Sequence, residues 1–356
     1  MLRGHGGEIY TLAKRLAVSP EEIADHSSNV SPLPPPVGLY ELLIQNLSEI
    51  ERLPEVDSED LREALAEKIG LPAENILPSS GTTEWIFAIP RVIRPRRVLI
   101  LAPTYADYAD ASRAVGAEVD YFLTRAEENF EPDLAALRQR IPDHEIVFIC
   151  NPNNPTGVFL KQEILATLVQ EFEKTLFVID ESYLDFVGTL RDSLLSVRPF
   201  PENLVVLRSF SKVYRIPGLR LGYAVSGEKL AKRLWSEYLP WSVNRLAQIA
   251  GPWLLKQDQH LEAVRAMVRT ERARVIPQIK ALPGVHCFEG HLHFFLLYLE
   301  NLEASHIWER LLKDHLILTR DASNFIGLDN HYLRLALRSP EENDRLIEAL
   351  SEVLAI

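Results

Sequence analysis

The sequence predicts an α/β protein: a large domain with a mostly parallel sheet covered by helices, joined to a smaller α+β domain. Three observations carry that prediction. Residues 97–102, 145–150, 176–180 and 204–207 are short apolar runs, rich in leucine or β-branched residues and separated by helix-length segments. Near-continuous apolar strands alternating with helices form parallel sheets buried on both faces. The chain has 356 residues, too many for one compact core and enough for two domains. From residue 285 onward strand-like and helical runs mix, which marks a separate α+β tail.

In chain order, His5-Gly6-Gly7 comes first, then weak helical spacing over 9–16, then Asp25-His26-Ser27-Ser28-Asn29 before Pro32, Pro34, Pro35 and Pro36. Clustered prolines lack the amide hydrogens that regular structure needs, so this segment reads as an ordered arm. Residues 39–53 and 58–69 have helical apolar spacing, the second without a full capping box. Ser79-Ser80-Gly81-Thr82-Thr83-Glu84 precedes the apolar residues 85–92 and suits a helix start whose free N–H groups face an anion. Beyond Gly222 the spacing becomes helical over 229–238 and 248–281. Strand-like runs at 285–288, 294–299, 316–320 and 332–337 follow, with helices near 305–314 and 341–354. The expected domains are an N-terminal arm with part of the small domain (1–45), the large domain (46–247) and the C-terminal small domain (248–356).

Composition is that of a globular protein, 47% hydrophobic and 25% charged. A net charge of -12 argues against nucleic acid or an anionic membrane as partner, since both require a basic face. Cys150 and Cys287 are isolated in apolar runs and read as core thiols, with no spacing for a metal or a disulfide framework. No apolar run approaches the roughly 20 residues of a membrane span, and the N-terminus lacks a signal peptide's apolar region. A cytoplasmic enzyme is the expectation.

The chemistry sits where strands end, the place at which open α/β sheets bind ligands. After the run at 204–207 comes Ser209-Phe-Ser211-Lys212, then Pro217-Gly218 and Arg220. A lysine beside hydroxyls and an arginine offers an amine for a Schiff base with an aldehyde and donors for a phosphate, which is what pyridoxal phosphate requires. Gly81 and Thr82 at a helix start suit the same phosphate. Tyr105, directly after a strand, can present its face to a flat heterocycle. The turn Asn151-Pro-Asn-Asn154-Pro-Thr-Gly157 aims an Asn at the crevice. Asp180 ends a buried strand, a costly place for a carboxylate unless it is paired; a protonated pyridine nitrogen would pair it. Glu181 fits better as a cap for the next helix.

Together these motifs carry a resemblance. Asn154-Pro-Thr-Gly157, Asp180-x-x-Tyr183, Ser209-x-Ser211-Lys212 and Gly218-x-Arg220-x-Gly222 resemble, in order and spacing, the signature of the fold-type I, class I and II aminotransferases. The resemblance covers nearly the whole chain. It implies the fold-type I transferase fold, pyridoxal 5'-phosphate as cofactor, and a homodimer. It also implies that Lys212 bonds the cofactor aldehyde, Asp180 pairs with the ring nitrogen, Tyr105 stacks on the ring, and Asn154 and Tyr183 contact its phenolic oxygen. Gly81, Thr82, Ser209, Ser211 and Arg220 would hold the cofactor phosphate, and Arg334 the substrate carboxylate.

Three further stretches, His5-Gly6-Gly7 with residues 25–33, Leu239-Pro-Trp241-Ser-Val-Asn244, and residues 319–329 running into Tyr332-Leu-Arg334, are similar to the threonine-phosphate decarboxylases of the cobalamin pathway. That likeness implies pyridoxal-phosphate-dependent decarboxylation of L-threonine O-3-phosphate to (R)-1-amino-2-propanol O-2-phosphate. His5, Gly6, Asn29, Asn154, Arg320 and Arg334 would line the amino-acid phosphate site, Arg334 on the carboxylate and Arg320 with His5 on the phosphate. Transamination of a phosphorylated substrate such as histidinol phosphate is the alternative. Two positions depart from the pattern. Leu53 stands where relatives carry a tyrosine that reaches the cofactor phosphate across the dimer, and Glu8 where an Asn is frequent, which leaves serine phosphate open as a substrate.

Overall fold

A computed structural model describes residues 7–355 of the chain. Its centre is a seven-stranded sheet in the order Ile76–Ser79, Gly222–Ser226, Leu204–Ser209, Leu176–Asp180, Ile146–Cys150, Arg97–Ala102, Glu118–Leu123. Gly222–Ser226 runs antiparallel to both neighbours, and the other pairings are parallel. The strands ending in Cys150, Asp180 and Ser209 are buried along their whole length, as expected of a sheet covered on both faces.

Three strands of this sheet are absent from the apolar-run reading, each for a physical reason. Glu118–Leu123 is an edge strand with no fully buried residue, so polar side chains alternate through it. Ile76–Ser79 is four residues long and holds Pro78, which an edge strand tolerates. Gly222–Ser226 opens on a glycine, and a Cβ there would stand 2.9 Å from the Thr82 nitrogen and 3.1 Å from the Arg208 carbonyl oxygen. Helices differ in bounds as well. The stretch at 39–53 is an α-helix over Leu39–Gln45 and a 3-10 helix over Leu47–Glu51. The long stretch at 248–281 is two helices, Arg245–Leu254 and Asp258–Lys280. Side-chain periodicity does not register a break of three residues.

A second sheet, in the order Arg320–Asp321, Tyr332–Ala336, Phe294–Leu299, Val285–Phe288, is antiparallel throughout. Helices Ala304–His315 and Pro340–Leu354 contribute Ile307, Leu311, Leu346 and Leu350 to its core. The helix Asp258–Lys280 joins the two bodies, placing Val264 and Val268 in the large core and Val275, Ile276 and Ile279 in the small one. Each such side chain contributes roughly 1.5–3 kcal/mol on burial, so this helix couples the two bodies firmly.

The arm is tied to the small body by backbone. Ala24–Asp25 pairs in parallel with Ile317–Leu318, and His26 exchanges backbone hydrogen bonds with Leu318 and Ala336. The buried Arg338 guanidinium donates to the carbonyls of Asp25 (2.5 Å), Ser28 (2.6 Å) and Val30 (3.0 Å). A buried charge needs such partners, and these fix residues 25–30 above the large sheet.

Candidate active site

The C-terminal ends of the parallel strands and the arm enclose a cavity of about 920 Å3. Strand register builds it: Cys150 lies opposite Asp180, Asp180 opposite Leu207, and Ser209 opposite Gly222, so the residues that follow each strand converge on one edge. Lys212 enters from the short helix Phe210–Val213, whose start is capped by Ser209 Oγ accepting from the Ser211 amide at 3.2 Å. Burial, then the Arg334 and Arg220 charges, lower its pKa to about 8, with Asp180 acting the other way. A lysine so tuned supplies neutral amine near physiological pH.

Asp180 is buried at the tip of its strand. Its carboxylate accepts from the Ser182 amide (2.9 Å), the Ser182 hydroxyl (2.5 Å) and the Tyr108 hydroxyl (2.8 Å). Burial raises its pKa against those bonds and against Lys212. Among the described residues it forms no ion pair. Glu181 is not a cap for the following helix. Its carboxylate accepts from the Ser193 hydroxyl and the Leu194 amide and pairs with Arg208 at 3.2 Å, away from the cavity. Alternation along the extended chain turns neighbouring side chains to opposite faces, and Asp180 itself takes the local backbone N–H.

Tyr105 lines the cavity and meets Tyr108 edge to face at 5.8 Å. Asn154 and Tyr183 are brought together by Asn29 of the arm, whose amide nitrogen lies 3.3 Å from Asn154 Oδ1 and 3.2 Å from the Tyr183 hydroxyl. Arg334, buried in the middle of the small sheet, donates to Asn154 Oδ1 and to the Ser27 carbonyl (2.5 Å). Its Nε is buried without a partner among the described residues. Gly81 has φ +86°, and a Cβ there would stand 2.5 Å from an Arg220 nitrogen, so only glycine lets Arg220 lie across the turn. Thr82, Thr83, Ser209 and Ser211 share that corner of the cavity. Arg320 lies 5.3 Å from the Phe325 ring centroid and donates to Asn324 Oδ1 at 2.6 Å, on the far wall. His5 and Gly6 lie outside the described residues, whereas Gly7 lines the cavity. Cys150 is buried on the wall, its thiol pushed up chiefly by burial and next by Asp180.

Tyr108 was not singled out by sequence. The spacing Tyr105-x-x-Tyr108, three residues apart at the start of the helix Asp107–Ala114, is the signal available for it. Replacing Tyr108 with phenylalanine removes one of three donors to Asp180. A hydrogen bond to a charged group contributes about 1.5–3 kcal/mol, so kcat/KM falls about tenfold or somewhat more. Steady-state kinetics with circular dichroism as a check of fold measure this, and an unchanged kcat/KM would show that the hydroxyl does not act on Asp180.

Comparison with known proteins gives the same picture over the full length. The family model for aminotransferase class I and II matches residues 27–350. A threonine-phosphate decarboxylase of Salmonella typhimurium is 36% identical over 353 residues, covering 98% of this chain and 96% of that protein. The crystal structure of L-threonine-O-3-phosphate decarboxylase from Porphyromonas gingivalis superposes with a TM-score of 0.84 at 31% identity, covering 94% of this chain and 100% of that one. That of a histidinol-phosphate aminotransferase from Clostridium acetobutylicum gives 0.87 at 27% identity, covering 94% and 99%. Among the described residues no helix is long and apolar enough to cross a membrane.

Proposed function

We infer, from the premise that this chain belongs to the class I and II aminotransferase family, that it is a pyridoxal-phosphate-dependent decarboxylase of L-threonine O-3-phosphate. The residues fit that cofactor on two counts. Asp180 is a buried carboxylate without an ion-pair partner among the described residues, as a cationic ring nitrogen requires. The Gly81 turn, with Arg220 lying across it, leaves the Thr82, Thr83, Ser209 and Ser211 corner open to a phosphate. When bound, pyridoxal phosphate supplies an aldehyde for the substrate amine and a conjugated ring that accepts electrons from a breaking bond at Cα.

In this reading Lys212 holds the cofactor and Asp180 keeps the ring nitrogen protonated. Tyr105 would cover the ring face, and Asn154 and Tyr183 would donate to its phenolic oxygen. Arg334 would grip the substrate carboxylate and so fix the orientation of the Cα–carboxylate bond. Loss of that carboxylate as CO2 would leave Cα one proton short, and Lys212 Nζ, on the cavity wall, would deliver it, giving the phosphate ester of an amino alcohol. Arg320, with Asn29 and the N-terminal His5-Gly6, would hold the substrate phosphate. The product serves cobalamin assembly in the cytoplasm.

The observation that carries this reading is the presence of two separate guanidiniums, Arg334 and Arg320, in one cavity, within a chain 36% identical to a decarboxylase of such a substrate. A substrate bearing both a carboxylate and a phosphate needs two cationic anchors. The chain also functions as a homodimer in this reading. Val37, Tyr40, Ile44, Leu47, Ile50, Leu53 and Val56 are exposed along one stretch, with Leu239 and Trp241 joined to it where the Trp241 amide donates to the Val56 carbonyl at 3.0 Å. A continuous exposed apolar face of this kind marks an interface. Leu53, 74% exposed, lies within it and brings no hydroxyl.

The test is to give the cofactor-loaded enzyme O-phospho-L-threonine without any oxo acid. Catalytic CO2 release is expected, with the cofactor absorbance unchanged over many turnovers. A single turnover that converts the cofactor to its amine form, relieved only by 2-oxoglutarate, would show an aminotransferase instead.

A further inference from the structure

Arg215 has no part in the chemistry above, and its placement is costly. It sits one residue past the C-cap of the Phe210–Val213 helix with φ +53°. There the Arg215 amide donates to the Lys212 carbonyl at 3.3 Å and the Ile216 amide to the Ser211 carbonyl at 3.1 Å. This left-handed closing position is one that glycine fills without strain and a side chain fills at a cost. Backbone strain of this kind gathers at functional sites.

The side chain adds a second expense. Arg215 lines the cavity, as do Val30, Arg338 and Glu342. Its charge is one of those that hold the Arg338 guanidinium below its ordinary pKa of 12.5, to about 10, after burial and against Asp25. Two guanidiniums are therefore held near each other. Arg338 is satisfied by the carbonyls of the arm. The Arg215 side chain makes one hydrogen bond among the described residues, to the Pro32 carbonyl at 3.2 Å, and no carboxylate of those residues lies within ion-pair distance of it. Glu342, on the same wall, accepts from the Ser339 amide at 3.1 Å. A guanidinium has five N–H donors in a planar fork that matches a phosphate, so most of the donors of this cavity-lining side chain have no partner among the described residues.

We propose that Arg215 is a further anion anchor of this cavity, for the phosphate monoester of the substrate. The inference rests on the reading that the cavity takes a phosphorylated amino acid. It adds a third guanidinium to the two assigned to the substrate, on the arm side and only three residues from Lys212 in sequence.

The test uses the cofactor-loaded full chain, so that the cofactor's own phosphate corner is already filled, with Arg215→Gly and Arg215→Lys variants. Inorganic phosphate is the probe for thermal stabilisation, and O-phospho-L-threonine the substrate for kinetics. Glycine relieves the left-handed strain, so Arg215→Gly melts no lower than the parent in phosphate-free buffer. Its stabilisation by phosphate is smaller, and KM for the phosphorylated substrate rises about tenfold, the loss of one charged hydrogen bond, with kcat within about twofold. Arg215→Lys falls between the two. A full phosphate response with unchanged KM in Arg215→Gly overturns the proposal. So does a lower melting temperature without phosphate, which would make Arg215 a latch on the Pro32 carbonyl. Phosphate stabilisation is read without turnover, so absence of CO2 release would overturn the decarboxylase reading while leaving the Arg215 result to stand by itself.

Discussion

Replacing Lys212 with alanine lowers turnover by at least about 10^3-fold while leaving the chain folded. The expected size follows from the two tasks proposed for this group, holding the cofactor and moving the proton at Cα; general acid–base action alone contributes roughly 10^2–10^4. The fold is insensitive because Lys212 projects into a cavity and its ammonium is disfavoured there. Its pKa is about 8 in the fold against 10.5 ordinarily. Between these values the unfolded chain binds more protons than the folded one, so stability of the cofactor-free protein rises with pH through that window. The Lys212 contribution is unfavourable below pH 8 and vanishes above 10.5. Denaturant unfolding of cofactor-free protein at pH 8 and pH 10 should therefore show a pH-dependent increment that Lys212→Ala lacks. A variant that keeps even a few per cent of turnover would refute the assignment of Lys212.

Asp180→Asn is the second large effect, and it separates catalysis from stability. The amide is isosteric, and its oxygen can still accept from the Ser182 amide and hydroxyl. It cannot offer a charge to a protonated ring nitrogen, so kcat/KM falls by about 10^2–10^4. Stability of the cofactor-free protein moves the other way. Burial raises the Asp180 pKa above its ordinary 3.8. The folded state thus binds more protons than the unfolded one between the two pKa values, and stability falls as pH rises through that interval. At neutral pH the buried carboxylate is a cost that asparagine removes. Urea unfolding at pH 7 should find cofactor-free Asp180→Asn at least as stable as the parent, and the loaded enzyme nearly inactive. Parallel losses of stability and activity would mean that Asp180 serves the fold and not the cofactor.

Much of the site was legible because its parts are local. Lys212 and Asn154 follow a strand within a few residues, Asp180 ends one and Gly81 precedes a helix, and a strand's C-terminal end in a parallel sheet is a fixed place whatever the pairing order. The buried strands were legible for the same reason, since apolar runs such as Ile146–Cys150 record burial on both faces. The edge strand Glu118–Leu123 and the antiparallel Gly222–Ser226 left no such record, because the first is half solvated and the second opens on a glycine and closes on a serine.

What the tertiary structure alone decided are contacts between groups far apart in the chain. Tyr108 reaches Asp180 across 72 positions, Asn29 reaches Asn154 across 125, and Arg338 grips Ser28 across 310. Sequence determined which groups stand at the ends of strands, and through them the cofactor chemistry. Side-chain pattern reports only which way each residue faces within its own element. Which distant groups share a cavity, and which buried charge is left for a ligand to satisfy, follows from how elements pack, and that is set by long-range pairing and burial that no local pattern encodes.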